Sequence, residues 1–132
     1  MRQHQEYYNW VRDIFDEWKR VLGLQDADPD KQELVEELRL AYEDLAQTVE
    51  GDLPPFAELA ATFRFAFRRT RLLEVNARGG RTPDVDWGSA YGWILVGGQA
   101  MDRGFTVEGL TVTYMPRGIG VGNADTVQQR AR

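Results

Sequence analysis

The apolar residues of this chain change their spacing half-way along it, and that change limits the folds open to it. Over residues 5–22, Tyr7, Val11, Ile14, Trp18 and Val21 recur at steps of four, three, four and three, and Tyr8, Phe15 and Leu22 widen the stripe. This period predicts an amphipathic helix, ended by Gly23 and the polar run that follows. Asp28 before Pro29 predicts the next start, a carboxylate able to cap free amides ahead of a ring already set at helical φ. Leu34, Leu38, Tyr42, Leu45 and Val49 mark that second helix, stopped by Gly51 and Pro54-Pro55. A third, over residues 55–70, places Phe56, Leu59, Ala60, Phe63 and Phe67 on one side.

Beyond residue 70 the apolar residues form short continuous runs instead. Residues 71–76, 93–96 and 110–115 read as three strands, and residues 77–86 between the first two are rich in turn formers. Continuous runs joined by crossovers predict a mostly parallel sheet covered on both faces. The expected class is α/β, with 132 residues forming one domain, mainly helical to residue 70 and strand-rich from 71 to 132. A last helix begins near Asp125, and Arg132 falls one or two turns into it. The chain therefore reads as a piece of a longer domain. An uncovered sheet edge would then favour self-association into a homo-oligomer.

Several functions are excluded by residue type. With no cysteine there is no disulfide framework, zinc-thiolate site or cysteine nucleophile. The longest apolar run, residues 93–96, is far short of the ~20 residues of a membrane span. The first residues lack the apolar core of a secretory signal, so no membrane association is expected and the cytoplasm is the expected compartment. No G-x-x-x-x-G-K-[ST] loop is present. The one histidine, His4, has no second ligand near it in sequence and reads as a helix-start residue. Ser89 lacks a nucleophile-elbow context. Asp84 and Asp86 beside Pro83 read as a turn rather than a nuclease pair. Glu33, Glu36, Glu37, Glu43 and Asp44 lie mostly off the apolar stripe and read as a solvated face. No metal site is expected.

Charge is unevenly divided. Residues 1–66 hold seven basic and fifteen acidic residues, a balance of −8; residues 67–132 hold nine and six, a balance of +3. Fourteen of the sixteen basic residues are arginine, which suits bidentate phosphate contacts and equally reflects a GC-rich genome. Arg64, Arg68, Arg69 and Arg71 gather at the end of the third helix. Cations there complement the helix dipole, and a phosphate-facing patch is the alternative.

The segment most suggestive of a site is residues 95–110, in which Gly97, Gly98, Gly104 and Gly109 follow one strand and precede another. Ligands meet parallel sheets at such turns, through amides that glycine leaves unobstructed. A glycine-bent crossover without a ligand fits the spacing equally well. This segment resembles motif five of superfamily-two helicases, and residues 125–132 resemble the opening of motif six. The wording Gly-Gly…Asp-Arg-Gly-Phe-Thr-Val-Glu-Gly-Leu-Thr-Val-Thr-Tyr, followed by Asp-Thr-Val-Gln-Gln-Arg-Ala-Arg, is similar to the Z1 domain of bacterial endonucleases. The likeness is specific over residues 76–132 and weaker before them. Thr106 stands where many helicases have an aspartate, and the Z1 pattern shares that threonine.

The resemblance implies a partial second RecA-like lobe of an ATP-driven enzyme acting on DNA, in restriction or phage defence. It implies that Gly97, Gly98, Asp102, Arg103, Gly104 and Thr106 line a cleft toward nucleotide and nucleic acid. Gln129 would couple the two, and Arg132 would approach the ATP phosphates. ATP and magnesium would serve the whole protein together with a first RecA-like lobe that this chain lacks, so the chain alone is expected to be inactive. The alternative is a non-enzymatic interaction module whose acidic helices bind a protein partner.

Overall fold

A computed structural model describes residues 2–75, 83–97, 106–107 and 109–114. Helices α1 (Arg2–Leu22), α2 (Pro29–Ala46) and α3 (Phe56–Arg68) precede strand β1 (Thr70–Val75), a single 3₁₀ turn (Trp87–Ser89) and strand β2 (Gly92–Gly97). The strands pair in parallel, in a register that runs from Thr70 opposite Gly92 to Val75 opposite Gly97. Helix and parallel strand thus occur where the periodicity places them. Helix α1 packs against α2 and α3 and touches β2.

Local chemistry sets the helix ends. Asp28 caps α2, its Oδ1 accepting from the Asp30 amide at 3.0 Å, with Pro29 in the first turn. Lys31 reaches back across the preceding loop, donating from Nζ to the Leu24 carbonyl at 3.0 Å and to Asp26 Oδ1 at 2.7 Å. Asp28→Ala is expected to cost about 1 kcal/mol, read as a shift of the urea midpoint without a change in its slope. At the far end α2 stops at Ala46, short of Val49. Gly51 turns the following segment with φ +110, and Tyr42 Oη donates to the Pro54 carbonyl at 2.7 Å.

The core lies where the three helices meet. Val21, Leu22 and Leu34 are buried, and Trp18, Leu38, Phe63 and Phe67 pack on them. Phe67 stacks on Phe15 at 5.2 Å between ring centroids and also meets Trp18 at 5.9 Å and Phe63 at 6.3 Å. Only part of each predicted stripe is covered. Tyr7, Ile14, Leu45 and Val49 are exposed, because periodicity reports the width of an apolar arc and the neighbouring helices decide which part they cover.

Helix α3 passes into β1 through Arg69 alone. The Arg69 amide donates to the Phe65 and Ala66 carbonyls, both at 3.2 Å, and Thr70 Oγ1 donates to the Ala66 carbonyl at 2.8 Å. Opposite, a Cβ at Gly92 would sit 3.1 Å from Thr70 Oγ1, so a larger residue there would require Thr70 to shift by a few tenths of an ångström.

The predicted third strand is not formed. Residues 110–114 belong to no ladder, and Leu110, Val112 and Tyr114 are exposed, the last at 84%. A strand exists through its pairing, and alternating Thr with Val and Tyr leaves a solvated extended chain where no edge receives it. Met115 and the predicted last helix from Asp125 lie outside the described residues. No described helix is long and apolar enough to cross a membrane.

Candidate functional site

The two ends of the sheet carry different chemistry. At its C-terminal end, Val75 is fully buried and pairs with Gly97, the first glycine of the turn segment. Gly97 is half-buried, and Thr106 is an exposed residue in irregular chain. Of the other residues singled out from the sequence, Gly98, Asp102, Arg103, Gly104, Gln129 and Arg132 lie outside the described residues. Asp84 and Asp86 are exposed, and the Asp86 carbonyl accepts from the Ser89 amide and hydroxyl at 3.0 and 2.7 Å. Asp86 thus precedes the 3₁₀ turn, and Asp84 lies in irregular chain before it. Among the described residues no three His, Asp or Glu side chains gather where a metal could sit.

At the N-terminal end of the sheet, Arg68, Arg69 and Arg71 border an open concavity of about 480 Å³, closed on its far side by Ser89, Ala90 and Tyr91. Pairing brings these segments together, since the Tyr91 amide donates to the Arg69 carbonyl at 3.0 Å, one residue before the ladder begins. The Arg71 guanidinium donates to Ser89 Oγ at 3.3 Å and lies 5.8 Å from the Trp93 ring centre. Arg69 lies over Phe65 at 4.4 Å, and Phe65 meets Tyr91 edge-on at 6.0 Å. Tyr91 is 68% exposed.

Among the described residues, the cations of the first two helices are satisfied differently from those of α3 and β1. On α1, α2 and the loop between them, Arg12, Lys19, Arg20, Lys31 and Arg39 each pair with a carboxylate. Hydrogen bonds from Arg20, Lys31 and Arg39 hold Glu17, Asp26 and Glu36 below the ordinary carboxylate range. Among the described residues, no carboxylate pairs with Arg64, Arg68, Arg69 or Arg71. The arginine run is visible in sequence; what is missed there is that residues 89–91 come to lie beside it.

Across its whole length, residues 1–132, the sequence matches the Z1 domain family. The chain belongs to the Z1 domain family. No curated protein and no solved structure matches it. The described residues of this Z1 chain combine three helices and a two-stranded parallel sheet, with Gly97 at one end of the sheet and a cluster of arginines at the other.

Proposed function

We propose that this Z1 chain forms part of the second, RecA-like lobe of an ATP-driven enzyme that acts on DNA, with endonuclease or helicase-type activity in restriction or phage defence. The observation that carries the reading is family membership over the full chain, joined to a half-buried parallel strand that ends on Gly97, where the glycine-rich segment begins. Backbone amides freed by glycine suit close approach of a phosphate or a nucleic-acid strand. On this reading Gly98, Asp102, Arg103, Gly104 and Thr106 extend that approach, and Gln129 links nucleotide to strand. Arg132 neutralises charge on the transferred phosphoryl group. On this reading the phosphate loop and the magnesium-binding carboxylate come from another lobe, this sequence holding no G-x-x-x-x-G-K-[ST] loop.

ATP turnover by the gene product that contains this chain tests the proposal. DNA should stimulate turnover, and Arg132→Ala should lower the stimulated rate by about 10³-fold, the lower range for loss of an arginine finger. A folded protein that turns over no ATP would put the interaction-module reading first. One observation favours that second reading: Tyr7, Trp10 and Ile14 are exposed apolar residues on helix α1.

A further inference from the structure

We infer that the arginine-bordered concavity at the N-terminal end of the sheet is a binding site for single-stranded nucleic acid. It lies at the opposite end of the sheet from Gly97. The strands run six residues between the two, a span of roughly 17 Å at the usual rise per residue. The inference draws its class of ligand from the function proposed above, but it stands on different residues.

Three observations carry it. First, Arg68 and Arg69 are exposed and lack carboxylate partners among the described residues, whereas the described cations of α1 and α2 are paired. Helix-dipole complementation explains one cation at the end of α3. It does not explain Arg71, which lies in β1 and is held toward the concavity by Ser89. Second, Arg68, Arg69 and Arg71 border one open cleft, and guanidinium groups suit bidentate contact with phosphates. Third, Tyr91 presents a largely exposed ring on the same cleft, braced edge-on by Phe65. Guanidinium groups beside an exposed aromatic face are the combination that holds unpaired bases, which stack, above duplex, whose bases are hidden. An acidic peptide would use the arginines and leave the ring idle.

The test is fluorescence anisotropy of the 132-residue chain with a labelled twenty-nucleotide oligothymidylate. Binding should weaken steeply between 25 and 150 mM NaCl. Arg68→Glu with Arg69→Glu should weaken it at least about tenfold, while the charge-matched pair Arg12→Glu with Arg20→Glu on α1 changes it less than about threefold. Tyr91→Ala should weaken it about fivefold or more and remove the preference over a twenty-base-pair duplex. Should the glutamate pair disturb the circular dichroism spectrum, Arg68→Gln with Arg69→Gln tests the same contacts. Equal losses from both charge-matched pairs, preference for duplex, or displacement by polyglutamate as readily as by unlabelled strand would each overturn the site. The two proposals fail separately. DNA-stimulated turnover without binding at the arginines overturns the site alone, and binding at the arginines without turnover overturns the motor alone.

Discussion

Phe67→Ala is expected to destabilise the chain by about 3 kcal/mol, the lower end of the range for removing a large aromatic, since the ring is partly buried. The reason is its position. Phe67 lies in the last turns of α3, and its ring stacks on Phe15 while touching Trp18, both on α1, and Phe63 one turn back. Aromatic pairs contribute about 0.5–1.5 kcal/mol each beyond area burial, and one truncation removes three of them. Neighbours cannot close the gap, because Val21 and Leu22 are already committed to Leu34 on α2. Urea unfolding followed by tryptophan fluorescence measures the loss. A change below about 1 kcal/mol would show that α1 and α3 are not held together through this ring. Phe67→Leu should retain a good part of the stability.

Val75→Asp is expected to be more damaging. Val75 is the one fully enclosed large side chain among the described residues and ends β1 opposite Gly97. A carboxylate there has no glycine side chain across the rung to pair with. Burying the neutral acid without a partner costs about 2–7 kcal/mol, and lost apolar burial adds about 2 kcal/mol. The sum rivals the total stability of a small domain, about 5–15 kcal/mol. The buried acid would titrate above its unfolded value, so its deficit is smallest at low pH and grows as pH rises through the unfolded value toward the folded one. Circular dichroism at pH 4 and pH 7, each against the unsubstituted chain, should show the larger loss at pH 7. A variant with equal deficits at both would place residue 75 in contact with water.

How much of this architecture could be read from the chain depended on the range of the forces involved. Asp28 and Pro29 begin α2 through contacts within a few residues, so the start is legible from those two letters. The two strands are legible because each holds a short apolar run, Leu72-Leu73 in β1 and residues 93–96 in β2, and turn formers lie between them in the sequence. The period sets Ile14 on the apolar stripe, yet it is exposed, since the covered part of an arc is chosen by neighbours on other helices. The run at residues 110–114 has strand composition and no ladder, because pairing is a property of two segments. The arginines at 68, 69 and 71 stand out in the sequence. Their meeting with Ser89 and Tyr91 depends on a register that sets Gly92 beside Thr70, and no local signal announces it.

The passage from α3 into β1 has a mechanical consequence. Arg69 is clamped on both sides, its amide by the last turn of the helix and its carbonyl by the Tyr91 amide, while Thr70 ties the strand back to Ala66. Such an elbow has no hinge. Helix and strand must rotate as one stiff lever, with the arginines at the fulcrum and the Val75–Gly97 rung at the tip. A load taken up at one end of the sheet is delivered to the other as displacement instead of being lost in slack chain.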